Sequence, residues 1–340
     1  MNAKVDKAKH YKVYGWTCSE TNLRTLPDTA PEGAKKLAEW LTLQGRKSSL
    51  VEWLGQCKDD SRIHGRFMHI GAWTGRMSHQ APNQANIPSA FHGTPKDPVE
   101  EIKAKYDGPM RKLWRVPEGK YLVGTDAEGI QLRILAHLMQ SKDYVDAIVT
   151  GKKEDETDIH NVNRRALGFD HISRDMAKTF IYAFLLGAGT AKIAQILSVN
   201  MTEAKQAVDN FLESIDGLKE LKKQQIPYIA RRGWFRGLDG RKVVVPSEHK
   251  TLAGMLQNGE SVVVKHWVLD WKARAEKENL PFKLIDIVHD EVQVEVDDMD
   301  SATRLVEIQK ESMNRVRDKL DVFCPLAVSS DIGKNWYETH

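Results

Sequence analysis

Two aspartates sit where a carboxylate could act on a phosphate. Asp126 closes the apolar run YLVGTD, and Asp290 lies in the polar tripeptide His289-Asp290-Glu291 between the β-branched halves of FKLIDIVHDEVQVEV. An Asp after a strand is ordinarily a turn residue or a helix cap. A hairpin tip, however, ordinarily carries Asn-Gly or another Gly-rich pair, so an acidic tip is unusual. If the two strands are neighbours, the carboxylates converge at one edge of a sheet. Such hard oxygen donors suit Mg²⁺, which takes one or two carboxylates and keeps water or phosphate in its other positions. Two ions about 3.5–4 Å apart can stabilise both the attacking and the leaving oxygen of an in-line phosphoryl displacement.

A second constellation lies in RDMAKTFIYAFLLGAG. Arg174, Lys178 and Tyr182 recur every four residues and therefore share one helical face. Phe180, Ile181, Phe184 and Leu185 make the remaining surface apolar, so the cations mark the polar side. An Arg and a Lys so placed could hold a triphosphate by charge-assisted hydrogen bonds, whereas a solvated basic stripe is the plainer alternative. His160, upstream in TDIH, is a third candidate contact.

Several elements must position these groups. Apolar residues at helical spacing in residues 31–57 predict two short helices. WTGRMSHQAPNQANIPSAFHGTPKDP at 73–98 reads as a loop too long to be a simple connector. YLVGTD predicts a strand running into a helix over GIQLRILAHLMQ. A charged loop at 151–158 leads to helical segments through about residue 235, then a turn and strand at 237–246 and a long helix from Thr251. Residues 282–296 form a hairpin by the alternation of Val292, Val294 and Val296. A helix at about 300–319 and a short apolar end complete the pattern.

Composition bounds the rest. The 340 residues carry 50 Lys+Arg against 47 Asp+Glu, with 41% hydrophobic residues, which excludes a disordered tail or a single small module and leaves room for two or three subdomains. Residues 1–120 hold 20 Lys+Arg and 13 Asp+Glu, against 30 and 34 in the remainder, as if a basic half faced a polyanion and an acidic half held metal ligands. No apolar run reaches the ~18 residues of a membrane span, and the first residues lack an apolar signal core, so a cytoplasmic protein with no membrane partner is expected. Cys18, Cys57 and Cys324 lie far apart without ligand spacing and read as reduced thiols.

These pieces resemble, in order, the motifs of family A (Pol I-type) DNA polymerases, nearest to the replicative enzymes of short-tailed phages. TGRMSHQAPNQANIP is similar to the family's TGR segment, GTDAEGIQLRILAH to motif A, RDMAKTFIYAFLLG to motif B and IVHDEVQV to motif C; GLDGRKV, Gln257 and the terminal GKNW also fit. The resemblance spans roughly residues 14–340 and implies an α+β right-hand architecture, an antiparallel palm sheet with mostly helical fingers. It divides the chain into a thumb remnant or partner-contacting segment (1–62), palm (63–141 and 251–340) and fingers (142–250). It implies template-directed addition of dNTPs to a primer 3′-hydroxyl with two Mg²⁺ ions, Mn²⁺ substituting. Asp126, Asp290 and the Ala127 carbonyl would hold metal, with Glu291 assisting. Arg174, Lys178 and His160 would grip the triphosphate, Lys178 also protonating pyrophosphate. Arg76, Asn83, Gln257 and Arg241 would face DNA, while Arg133 and His289 would brace the catalytic strands and primer end.

The sequence departs from the family pattern in places. Gln131 replaces a Glu that blocks the sugar 2′-hydroxyl, which keeps the length and loses the charge; a weakened deoxynucleotide preference is expected. Leu186 replaces a Tyr that stacks near the template base, so altered fidelity is expected. Ala253 and His249 replace minor-groove contacts. Tyr182 is the phage-type residue, whose hydroxyl could substitute for a missing 3′-hydroxyl. No acidic exonuclease pattern occurs in the 73 residues before Thr74, so proofreading and most of the thumb are expected on a separate chain or a missing piece, with residues 1–60 as the contact. In a phage-encoded protein the compartment would be the bacterial host's cytoplasm. A single-subunit RNA polymerase is disfavoured by the bulk of Gln131, and a non-catalytic DNA-binding subunit by the retained Asp126, Lys178 and Asp290.

Overall fold

The computed structural model describes residues 18–27 and 29–340; the N-terminal part of the expected thumb remnant lies outside them. The chain divides into two compact units. One contains the described residues to Arg66 with His79–Arg115 and Asn335–Glu338, the other Phe67–Ser78, Val116–Lys334 and Thr339–His340.

In the first unit, helix α1 (Glu32–Gln56) and helix α2 (Pro98–Lys112) are tied by Arg46, whose Nε and Nη2 donate to the two carboxylate oxygens of Asp107 at 2.6 and 2.9 Å. Asp97 caps α2 by accepting from the Glu100 amide, and Pro98 occupies its first position, where no amide is needed. Trp114 packs edge-on against Trp53 and Trp336. Two short helices were expected over 31–57, and one continuous helix is found. Gly45 lies inside this helix, and an isolated Gly costs a helix only about 1 kcal/mol.

The second unit is built on a four-stranded antiparallel sheet. Its strands are β1 (Tyr121–Ala127), β2 (Phe282–Val288), β3 (Glu291–Val296) and β4 (Val328–Gly333), in the order β2-β3-β1-β4. Register pairs Val123 with Val294 and Thr125 with Val292 on one face, and Leu122 with Glu295, Gly124 with Gln293 and Asp126 with Glu291 on the other. The Val face packs on helices α6 (Thr251–Lys277) and α7 (Met299–Lys319), where Trp267 Nε1 donates to the Gln309 carbonyl at 2.8 Å and Thr125 bonds the Gln309 side chain. Helix α3 (Ile130–Met139) follows β1, and Gly129 opens it in the left-handed conformation. Helices α4 (Ile159–Leu167) and α5 (Arg174–Leu185) belong to a helical layer that lies between α3 and α6 in the sequence, cored by Phe180, Phe184 and Phe211.

This is the expected α+β fold with an antiparallel sheet. The apolar end after 319 was not expected to contain a strand, yet β4 pairs with β1 from Leu122 to Ala127. Among the described residues no helix is long and apolar enough to cross a membrane.

Candidate active site

Strand pairing brings the two aspartates together. Asp126 lies opposite Glu291 in the β1–β3 register, and the Ala127 amide donates to the Asp290 carbonyl at 3.0 Å. The hairpin turn consists of His289 and Asp290, with Glu291 already in β3. His289 takes a φ of +58°, a conformation that glycine adopts most cheaply in two-residue hairpin loops. The fold thus accepts a strained His to keep a carboxylate at the tip.

Both aspartates are half-buried and both are hard to ionise. Burial pushes the Asp126 carboxyl up to about 8, reinforced by the negative charges of Asp290, Glu291 and Glu260. Burial also raises Asp290, to about 6, with Glu260 the next cause. Among the described residues Asp126 bonds no side-chain donor, and Asp290 has only its own amide. The neighbouring acid differs: Glu291 accepts from Gln293 Nε2 at 2.6 Å and faces His340 Nδ1 at 2.8 Å. Two converging carboxylates without a bonded cation fit a hard divalent ion that takes few protein ligands. Among the described residues no group of three or more His, Cys, Asp or Glu is arranged to hold a metal ion.

Helix α5 faces these carboxylates. Ser173 caps it by accepting from the Met176 amide at 3.2 Å, and its apolar face is buried through Ala177, Phe180, Ile181, Phe184 and Leu185, which leaves Arg174, Lys178 and Tyr182 on the open side. The Tyr182 phenol is pushed up by burial and then by the charges of Asp290 and Asp126, so its hydroxyl shares their electrostatic space. The His160 ring lies 6.5 Å from that of Tyr182; burial first, then Arg174, favours its neutral form. Lys178 is exposed and makes no ion pair among the described residues. Leu186, just past the helix, is 57% exposed and offers an apolar surface where an aromatic ring was replaced.

Arg174 is not free. Its Nη2 and Nε donate to Asp158 Oδ2 at 2.6 and 3.1 Å. Burial would raise the Asp158 carboxyl, but hydrogen bonds from Arg174 and Asn161 prevail and hold it at about 2. Asp158 also caps α4. Sequence reasoning passed over it as part of a charged loop, although an Asp just before a helix is a recognisable cap signal.

The segment around Arg76 is fixed to α6. Asn258 Nδ2 donates to the Thr74 carbonyl at 2.9 Å, while Ser261 Oγ and Lys265 Nζ donate to the Gly75 carbonyl at 2.7 and 2.6 Å. A Cβ at Gly254 would collide with the Trp73 ring, so close approach of loop and helix requires glycine there. The Arg76 guanidinium reaches Glu260, which also accepts from Gln131. Gln257 lies half-buried on the same helix. Arg241 is exposed in the turn before a short strand and pairs with Asp239 at 2.5 Å. Arg133 is buried and spends its nitrogens on the Glu128 and Pro325 carbonyls, at 2.7 and 2.6 Å, and on the Glu128 carboxylate. These bonds tie the start of α3 to the segment that precedes β4. Asn83 belongs to the first compact unit, at the start of the short turn Gln84–Asn86.

The family model for DNA polymerase family A matches residues 1–338. The chain belongs to this family. It is 32% identical over 339 residues to the DNA-directed DNA polymerases of Enterobacteria phage T3 and of Escherichia phage T7, covering 89% of this chain and 45% of each phage enzyme. DNA polymerase I of Chloroflexus aurantiacus is 25% identical over 296 residues, covering 82% of the chain and 29% of that protein. The chain therefore spans less than half the length of these family members. The fold matches the polymerase domain of Pol1 from M. smegmatis, solved with DNA primer-template and dNTP, with a TM-score of 0.81 at 22% identity over all of this chain and 58% of that one.

Proposed function

We propose that the chain is the nucleotide-adding part of a DNA-directed DNA polymerase, extending a primer 3′-hydroxyl with dNTPs copied from a template. The observation that carries the reading is the meeting of Asp126, near the end of β1, with Asp290, in the adjacent hairpin turn, neither bonded by a side-chain donor among the described residues, opposite a helix face bearing Arg174, Lys178 and Tyr182. In this reading the sheet with its packed helices is the palm and the helical layer containing α4 and α5 the fingers.

Asp126, Asp290 and the Ala127 carbonyl would hold Mg²⁺. When bound, the metal supplies charge stabilisation for the attacking and leaving oxygens of the displacement. The protein's own groups do the rest. Arg174, already aimed by Asp158, binds the triphosphate together with Lys178 and His160, and a fork held in place loses less freedom on binding. Lys178, exposed and unpaired, is placed to give its proton to the pyrophosphate oxygen as it leaves. Gln131 faces the sugar, and the Tyr182 hydroxyl lies beside the 3′ position. Arg76 and Gln257 contact minor-groove acceptors, whose degenerate pattern allows pair shape to be checked without reading sequence. Glu291, held by Gln293 and His340, assists at the edge of the metal site, and Arg133 and His289 keep the catalytic strand ends in register. Proofreading and a full thumb would belong to a further chain or segment, consistent with the 45% span on the phage enzymes.

Primer extension with Mg²⁺ on the wild type and on Asp290→Ala tests this reading. Extension by the wild type and a loss of roughly a thousandfold or more in the variant are expected, several kcal/mol of transition-state stabilisation. Failure of the wild type to extend a primer at any salt concentration, alone or with lysate of its source, would overturn the reading.

A further inference from the structure

Glu260 is wholly buried, at 0% exposure, in α6 just before the apolar residues Val262, Val263 and Val264. A carboxylate in such a place requires partners, and it has two. Arg76 donates from Nε to Oε1 at 2.7 Å and from Nη2 to Oε2 at 2.5 Å, a two-pronged pairing. Gln131 Nε2 donates to Oε2 at 2.9 Å. One buried anion therefore fixes a side chain from the TGR loop and another from α3.

The orientation of Gln131 follows from this contact. An ionised carboxylate only accepts, so the amide must turn its NH₂ toward Glu260 and its carbonyl oxygen away. The backbone of Arg76 cannot follow a displaced side chain, because Thr74 and Gly75 are hydrogen-bonded to the same helix. At position 131 the family resemblance implies a glutamate. Here the amide occupies 131, and the carboxylate stands one hydrogen bond away at 260, so the anion has changed places without leaving the site.

We infer that Glu260 is a positioning residue for sugar selection: it holds Gln131 rigidly against the 2′ position of the incoming nucleotide and couples it to Arg76. The inference rests on the polymerase reading of the site. Gln131 without Glu260 is a flexible side chain that a 2′-hydroxyl can push aside. Gln131 with Glu260 is a fixed obstacle, so the exchange of Glu for Gln at 131 need not cost selectivity.

The test is single-nucleotide primer extension by the full chain, measuring kcat and KM for a dNTP and the matching ribonucleotide. Glu260→Ala should lower the discrimination ratio at least tenfold, chiefly by raising kcat/KM for the ribonucleotide. Gln131→Glu alone faces one carboxylate with another and should lose most dNTP incorporation. The exchanged pair Gln131→Glu with Glu260→Gln should recover dNTP incorporation to within a few fold of wild type and restore the ratio, a rescue that a merely structural Glu260 would not give. If Glu260→Ala does not fold, Glu260→Gln, which preserves shape, should still lower the ratio severalfold. A ratio within twofold of wild type in the Glu260 variants, or an exchanged pair as defective as Gln131→Glu, overturns the inference. Wild-type extension is the control: its absence counts against the polymerase reading, whereas extension with an unchanged ratio counts against Glu260 alone.

Discussion

Replacing Asp126 by Asn should stabilise the metal-free protein in alkaline buffer, a direction opposite to that of most substitutions at a buried position. The Asp126 carboxyl is raised to about 8 and that of Asp290 to about 6, from an ordinary 3.8, through burial first and then through the nearby negative charges, those of Asp290, Glu291 and Glu260 on Asp126 and those of Glu260 and Glu291 on Asp290. A carboxyl whose folded-state pKa exceeds its unfolded value destabilises the fold as it ionises. The penalty is absent below about pH 4, grows as the pH climbs past the unfolded value and is complete above the folded one. Each unit is worth about 1.4 kcal/mol, and water reaching these half-buried groups screens part of it, so a gain of about 2–3 kcal/mol is expected for Asp126→Asn near pH 8. Asn preserves the volume and leaves β1 otherwise unchanged. Thermal melting in EDTA across pH 5 to 8 measures the effect. The variant should melt several degrees above wild type at the alkaline end, with a gap that narrows toward pH 5. Mg²⁺ should raise the wild-type midpoint and leave the variant nearly unmoved. A variant that melts at or below wild type at pH 8, or a gap independent of pH, would refute the claim that Asp126 is held half-buried among like charges.

Asp158→Asn keeps a good helix cap while removing the charge that holds Arg174; it should raise the KM for dNTPs about three- to tenfold with kcat within twofold, and an unchanged or lower KM would show that Asp158 does not aim Arg174. Wild type should incorporate dideoxynucleotides efficiently, and Tyr182→Phe should reduce that about tenfold, the worth of one hydrogen bond of about 1.4 kcal/mol; strong rejection of dideoxynucleotides by the wild type would contradict the placing of the Tyr182 hydroxyl.

The strand ends and α5 were legible because each is locally determined. A run of β-branched residues interrupted by His-Asp-Glu has few ways to fold other than as a hairpin, and a four-residue recurrence on an apolar background specifies one helix face. The boundary of α1 was not legible, because Gly45 lowers helix propensity without abolishing it, and the packing of Trp53 and the Arg46–Asp107 pair decide the outcome from residues distant in sequence. β4 was hidden for a similar reason: VSSDIG has weak strand character, and its pairing with β1 is a tertiary contact. Glu260 left a faint trace, a lone acid in LQNGESVVV, but its partners come from positions 76 and 131, and no periodicity links those three numbers.

The treatment of carboxylates separates this site from ordinary buried polarity. Glu260 has Arg76 and Gln131, Glu291 has Gln293 and His340, and Asp158 has Arg174 and Asn161. Each of these acids bonds at least two side chains, as buried acids must to offset their lost hydration. Asp126 and Asp290 lie within electrostatic reach of Glu260 and Glu291, so donors were available nearby, yet among the described residues no side chain bonds them. A fold that gives Glu260 and Glu291 side-chain partners while, among the described residues, no side-chain donor bonds the pair beside them carries a local negative potential, and moving a donor already in use to that pair would break a satisfied bond. Arg76 is the nearest demonstration: turning its guanidinium toward Asp290 would strand Glu260, a fully buried anion, at a cost of about 3–5 kcal/mol. Glu260 therefore has a second effect beside holding Gln131. By keeping Arg76 occupied, it leaves the two aspartates without that donor, as the proposed metal-holding role requires.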